Sequence, residues 1–216
     1  YKRQTYDDAK NRVKQGESDG IVWTNSYDAL NRLSTRSYNL GQTSFYLSES
    51  FDYRTSGNRT DGRVARHTFY YYPIDYEYDA AGNIIKITEP YNSNKTIEYE
   101  YDAMGRLKTE KNQIAGRMEV YTYNTQGNLS KRQTYQYAQN ASTAQWEKGS
   151  LLNTDDWSYT NTDWYDQCTW YLQNGITWQM SFDEIGNPLT YRNGMKMTWQ
   201  NGRELQSIHK GNDRTG

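Results

Sequence analysis

The sequence predicts an all-β fold in which repeated β-hairpins join into one continuous, open antiparallel sheet. Three observations carry this. A turn motif, aromatic-Asp-x-x-Gly-(Arg/Asn)-aliphatic, recurs along the chain. The residues before it alternate with period two. The apolar content is unusually aromatic, with 22 Tyr and 7 Trp in 216 residues against 29 Leu, Ile, Val and Phe together. Tyrosine buries area while keeping a polar tip. Abundant Thr, Tyr and Asn with only 3 Pro favour strands and tight turns. So few aliphatics would signal disorder only alongside a large net charge, and here 25 Lys and Arg nearly cancel 26 Asp and Glu. The expectation is a folded chain with a thin, amphipathic core.

The motif copies give the elements in order, all within one repeat array over 1–216. N-terminal repeats occupy 6–50. They begin with Tyr6-Asp7-Asp8-Ala9-Lys10-Asn11-Arg12-Val13, which carries one extra residue, and continue with Tyr27-Asp28-Ala29-Leu30-Asn31-Arg32-Leu33. Residues 51–77 form a degenerate repeat. Phe51-Asp52 starts like a copy, but Gly57-Asn58 and Asp61-Gly62 imply a longer hairpin. Regular repeats over 78–137 hold Tyr78-Asp79-Ala80-Ala81-Gly82, Tyr101-Asp102-Ala103-Met104-Gly105 and Tyr123-Asn124-Thr125-Gln126-Gly127.

Each motif position has a physical reason. Ile97, Tyr99 and Tyr101 alternate with Thr96, Glu98 and Glu100, as in a strand with one buried face. Asp opens a turn because its carboxylate can accept backbone N–H bonds, and Asn124 keeps an acceptor oxygen there. Gly105 closes the turn in the left-handed conformation of a bulged three-residue loop. Asn31, which tolerates positive φ, holds the same slot upstream. A lone hairpin is marginal in water, so stacked neighbours must supply the stability.

An insertion spans 138–175. Its polar start, 138 to about 153, reads as a protruding loop, after which aromatics return. C-terminal Asn-Gly hairpins occupy 176–208. Asn174-Gly175, Asn193-Gly194 and Asn201-Gly202 are strong hairpin signals. Between them Ile176, Trp178, Met180 and Phe182 share one face, and Met195, Met197 and Trp199 alternate. Phe182-Asp183-Glu184-Ile185-Gly186-Asn187 is a further motif copy.

These copies resemble the YD repeat of the RHS family, found in bacterial rearrangement-hotspot proteins, toxin-complex C components, wall-associated proteins and animal teneurins. Five clear copies and two looser ones carry the resemblance from Tyr6 to about Leu205. The run Phe182–Arg192 with Thr198–Leu205 is its most specific part. The resemblance implies a segment of a curved β-shell within a large exported polypeptide. Such a shell often encloses a C-terminal toxin. Its partners would be other parts of the same polypeptide, and its location extracellular or cell-wall associated. The family's C-terminal core with autocleaving aspartates has no counterpart up to Gly216.

The chemistry available is sparse. His67 and His209 are the only histidines and show no shared spacing. Cys168 is a lone cysteine, which excludes an internal disulfide framework or a cysteine zinc site, and it reads as a small buried hydrophobe. Asp155, Asp156, Asp163 and Asp166 form an acidic cluster without EF-hand spacing. No phosphate-binding glycine loop occurs. The segment is therefore expected to be non-catalytic, without cofactor or metal. No apolar run reaches ~18 residues, so no membrane span is expected, and the balanced charge gives no basis for nucleic-acid binding. Tyr1-Lys2-Arg3-Gln4-Thr5 reads as mid-strand rather than a leader, as in an excised segment. Cut edges of this kind favour self-association through edge strands. A second reading is a carbohydrate or cell-surface module, with Trp146, Trp157, Trp164 and Trp170 of the insertion as glycan-stacking candidates.

Overall fold

The computed structural model describes residues 3–16, 21–40, 46–56, 59–191 and 194–210. It divides into two compact units, Tyr1–Tyr99 and Glu100–Gly216. The first holds strands β1 (Arg3–Tyr6), β2 (Arg12–Gly16), β3 (Ile21–Tyr27), β4 (Leu33–Leu40), β5 (Tyr46–Ser56), β6 (Arg59–Phe69), β7 (Tyr72–Tyr78), β8 (Ile84–Glu89) and β9 (Lys95–Tyr101), the last of which ends just past the boundary. The second holds β10 (Leu107–Asn112), β11 (Arg117–Tyr123), β12 (Leu129–Gln139), β13 (Trp146–Ser158), β14 (Trp170–Gln173) and β15 (Ile176–Gln179). A separate four-stranded sheet follows: β16 (Ser181–Phe182), β17 (Pro188–Tyr191), β18 (Met195–Gln200) and β19 (Glu204–Lys210). A short 3-10 turn, Pro90–Asn92, follows β8.

Within each unit strands pair antiparallel in chain order, and no last strand returns to the first, so no barrel closes. The turn motif sets the register. Tyr27 faces Leu33, Tyr78 faces Ile84 and Tyr123 faces Leu129, each with a one-residue shift beside the tyrosine. That shift is the bulge of a three-residue hairpin loop. Asn174 (φ 51°) and Gly175 (φ 75°) form the two-residue turn between Gln173 and Ile176.

Burial departs from the expected one-sided pattern. β8 is half-buried at all six positions despite its alternation. Only Tyr137, Tyr171 and Met180 are buried apolar residues among those described, whereas Thr96, Thr109, Asn112, Glu119, Asp155 and Asn187 are buried polar ones. Strands within each sheet pair with their sequence neighbours. Asp155 is the extreme case: it is fully buried and accepts from Arg132 Nε at 3.0 Å and Asn153 Nδ2 at 3.0 Å. A buried carboxylate needs such partners because its desolvation is costly.

Two sequence expectations are corrected. The stretch 138–153 is not a loop. β12 runs to Gln139 and β13 starts at Trp146, with Asn140 N–H donating to Gln145 C=O at 2.7 Å across the turn. Register shifts beside Thr134, Tyr135 and Tyr137 break the period-two pattern by which strands are recognised. Ile176, Trp178, Met180 and Phe182 do not line one strand face either, because the chain leaves β15 before Met180 and enters the second sheet at Ser181. The Gly57-Asn58 and Asn193 signals lie outside the described residues.

Candidate functional site: a ladder of turns and tyrosine clasps

The residues singled out by the motif assemble into a repeated device. At Asp102 the backbone N–H donates to Arg106 C=O at 2.9 Å, and Gly105 N–H donates to Asp102 C=O at 2.9 Å. One carboxylate oxygen accepts from Met104 N–H and Arg106 N–H, both at 2.9 Å. The other accepts from Arg106 Nε at 2.7 Å. Asp28 is bound identically by Leu30, Arg32 and the Arg32 side chain. Asp79 and Asp183 use Asn83 and Asn187, whose side-chain amides replace the guanidinium at 2.9 and 2.8 Å. This explains the Arg/Asn position of the motif, to which the sequence alone gave no role: it supplies the donor for the second carboxylate oxygen. Asn124 keeps the backbone half of the device, accepting from Gln126 and Asn128 N–H.

Gly82, Gly105, Gly127 and Gly186 have φ of 98°, 75°, 93° and 87°, and Asn31 has 58°. The first copy, expected to be one residue longer, has the regular turn instead: Tyr6 faces Arg12, Asn11 donates its N–H and Nδ2 to the Asp7 carboxylate, and Lys10 takes the left-handed slot at φ 64°. Hydrogen bonds hold the turn carboxylates below the usual range. Arg32 backbone N–H does so chiefly for Asp28, the Asn83 side chain for Asp79, and Arg106 backbone N–H for Asp102. At Asp183 burial pushes upward, but the Asn187 bonds outweigh it.

The tyrosines do more than pack. Five of them reach back to an earlier return strand and donate the hydroxyl to a backbone carbonyl. Tyr27 bonds Arg12 O at 3.1 Å, Tyr53 bonds Leu33 O at 2.8 Å, and Tyr78 bonds Val64 O at 2.8 Å. Tyr123 bonds Leu107 O at 2.8 Å and Tyr159 bonds Leu129 O at 2.9 Å. In the second sheet the Trp199 indole N–H makes the same bond, to Pro188 O at 2.7 Å. Arginines lie over these rings: Arg32 on Tyr53 at 4.1 Å, Arg63 on Tyr78 at 5.8 Å and Arg106 on Tyr123 at 4.4 Å. Such contacts are favourable when partly desolvated. Burial raises the Tyr53, Tyr78, Tyr123 and Tyr159 phenols above their ordinary range, so they stay protonated donors. Tyr53 and Tyr159 were missed in the sequence because neither is followed by Asp. Their signal was a Tyr at or just past a strand, some 20 to 30 residues after an Arg/Asn-aliphatic pair. Tyr101 stands at the end of β9, before its turn.

The remaining candidates are dispersed. Trp146 packs on Tyr137 (ring centroids 5.4 Å) and Trp157 stacks on Tyr171 (5.1 Å, 30°). Trp164 and Trp170 are partly exposed, with Trp164 covering Gly186 so closely that a Cβ there would stand 2.5 Å from the ring. Cys168 is half-buried rather than buried, with its thiol pushed up by burial, and it borders a cavity of about 250 Å³ with Trp157, Tyr171, Met180, Phe182 and Tyr191. Asp155 pairs with Arg132 and Asp156 with Lys131, so the acidic run is divided among separate partners. No group of His, Cys, Asp or Glu suited to a metal occurs among the described residues. His67 stacks on Phe51 at 4.7 Å and His209 Nε2 bonds Ser207 at 3.0 Å.

Residues 78–117 match the RHS Repeat family model. No match was found among curated proteins. Among solved structures the chain is similar to part of the Photorhabdus luminescens Tc holotoxin pore carrying a mutated TccC3, with TM-score 0.67 and 17% identity over 99% of this chain and 12% of that one. It is also similar to the TcdB2-TccC3 complex without its hypervariable C-terminal region, with TM-score 0.53 and 14% identity over 96% of this chain and 12% of that one. A further TcdB2-TccC3 structure gives TM-score 0.50 and 10% identity, covering 96% of this chain and 15% of that one. At these identities the shared property is the fold. The chain spans only 12% to 15% of those chains.

Proposed function

We propose that this chain is a structural, non-catalytic segment of an RHS-type β-shell in a large exported polypeptide, and that the shell encloses or carries another part of that polypeptide. The observation that supports this best is the ladder itself. The motif carboxylates close turns and most of the motif tyrosines clasp an earlier repeat, which is what a wall requires. Similarity of fold to toxin-complex structures supports the same reading. Incomplete edges support association through strands. β1 pairs within the large sheet only with β2, and β15 only with β14; strands at the ends of a sheet are where further strands add. The occupants of those edges would be neighbouring repeats of the parent polypeptide.

Limited proteolysis of the full parent polypeptide tests the proposal. Sequence enclosed by the shell should survive protease while the repeats remain intact, and become sensitive when they are unfolded with denaturant. Cleavage of every flanking region at the same rate in native and denaturant-treated protein would defeat it.

A further inference from the structure

The turn between β6 and β7 departs from the chemistry of its counterpart between β14 and β15. Phe69 faces Tyr72, so the connection is Tyr70 and Tyr71. Between Gln173 and Ile176 the same connection is made by Asn174 and Gly175, residues suited to positive φ. Tyr70 adopts φ 59°, a costly conformation for a bulky side chain, and its N–H donates to Ser48 O at 2.7 Å. The turn leaves Tyr71 and Tyr72 63% and 58% exposed. The 3-10 turn after β8 brings Tyr91, 67% exposed, to the same place.

Tyr72 and Tyr91 meet with ring centroids 5.2 Å apart and planes inclined at 62°. Faces inclined so steeply make a corner rather than a platform. A flat ligand can lie on only one of them, whereas a compact, rounded group can touch both. Pro73, Ile74, Glu89 and Asn92 complete a groove of about 350 Å³. Among the described residues its one charged group is Glu89, whose carboxylate accepts from Asn92 Nδ2 at 3.3 Å. That bond ties the carboxylate to the turn that carries Tyr91. Lys95 stands opposite Glu89 in the β8–β9 pair but does not line the groove. The groove therefore offers aromatic faces and one negative charge.

We propose that this groove binds a quaternary ammonium group, of the trimethylammonium kind that choline carries. Such a group is rounded, and its positive charge is spread over methyl groups with no N–H to satisfy. The faces of phenol rings carry the negative part of the ring quadrupole and attract it. Glu89 adds a Coulomb attraction that nearby water weakens without removing. A primary ammonium would exchange its hydrogen bonds to water for a single carboxylate, and an uncharged group of the same shape would gain contact alone. Binding sites for small molecules pair apolar and aromatic lining with a few placed polar groups, and the charge placed here selects a cation. The site is independent of the tryptophans of the insertion and of the shell reading.

The test is calorimetric titration of the 216-residue chain with choline, alongside ethanolamine and the uncharged isostere dimethylbutanol, which has carbon in place of nitrogen. Saturable binding of choline is expected, with ethanolamine several-fold weaker and no saturation by the isostere. Tyr72→Ala and Tyr91→Ala should each weaken choline several-fold, the effect of one exposed cation–π contact, and the double variant should not saturate. Glu89→Gln should weaken it several-fold, and Lys95→Gln should tighten it by removing a nearby positive charge. Trp170→Ala, at an exposed ring elsewhere, should bind as the parent does. Circular dichroism should be unchanged in every variant, because the replaced side chains are not buried. Phosphatidylcholine vesicles report the source of the group. Co-sedimentation that free choline competes away supports a lipid headgroup as the ligand, and saturation by free choline alone supports a soluble one. The proposal is overturned if choline does not saturate the parent chain. It is also overturned if the isostere binds as well as choline, or if binding persists in a folded Tyr72→Ala/Tyr91→Ala double variant.

Discussion

Two kinds of hairpin stand side by side in this chain. Those at Asp28, Asp79, Asp102 and Asp183 close through a carboxylate that binds two backbone N–H groups and the side chain four residues on. The hairpin of β5 and β6 lacks this turn and runs on past it, so that Tyr53 faces Val64 rather than a residue six positions away. Yet both kinds keep the tyrosine clasp: Tyr53 grips Leu33 O as Tyr123 grips Leu107 O, each at 2.8 Å. Arg32 also adapts, its guanidinium reaching Thr60 Oγ1 at 2.8 Å in the overgrown hairpin. The turn can therefore be rebuilt in length and chemistry while the clasp stays. A turn is a local solution with many substitutes, whereas the clasp fixes the spacing of one hairpin on another.

The sharpest way to break this comparison is to remove a clasp from each kind. Tyr123→Ala and Tyr53→Ala should both destabilise by roughly 2–3 kcal/mol, a half-buried version of the cost of truncating a large aromatic. Tyr→Phe at either position should cost about 1 kcal/mol, the worth of one hydrogen bond. Denaturant melts of the four variants measure this. If Tyr53→Ala were neutral while Tyr123→Ala was not, the clasp would belong to the regular hairpins alone.

A smaller effect is expected from the turn backbone. Gly105→Val forces a β-branched residue into φ 75° and should cost at least ~1 kcal/mol from steric strain. Gly62, in the overgrown hairpin, lies outside the left-handed region with open space around it. Gly62→Ala should gain about 0.4–1 kcal/mol by restricting the unfolded chain. Thermal midpoints of the two variants should move in opposite directions.

The smallest effect is electrostatic, and it separates Asp from Asn turns. Folded-state values of Asp28, Asp79, Asp102 and Asp183 are lowered. Their contribution is thus present above the unfolded carboxyl value of about 3.9. It is lost as pH falls below that through the folded values. The denaturation midpoint should drop between pH 6 and pH 2.5. Asp102→Asn, which copies the Asn124 turn, should lower the midpoint at pH 6 but flatten this slope. An unchanged slope would mean that the turn carboxylates do not couple to folding.

Much of this was legible in the residues themselves. The alternation around Tyr99, the acceptor at Asp102 and the glycine or asparagine of the φ-positive slot are local matters, decided by sterics and hydrogen bonding within six residues. They suffice for hairpins, for their loops and for an open antiparallel sheet. What the chain order could not carry was anything that joins residues from different hairpins. Tyr53 and Tyr159 lack the Asp that marks the motif, so only their position against Leu33 and Leu129 reveals the clasp. Residues 146–153 lost their period to bulges, so only pairing with β12 makes them a strand. Asp155 is exposed by every rule of composition and is buried because Arg132 and Asn153 meet it from beside and along the strand. Tyr70–Tyr72 and Tyr91, unremarked in the sequence, become one surface because two separate turns lie against each other. Local geometry follows from short-range sterics and is written in consecutive residues. Contacts between hairpins depend on which strands lie side by side, and only the tertiary structure decides that.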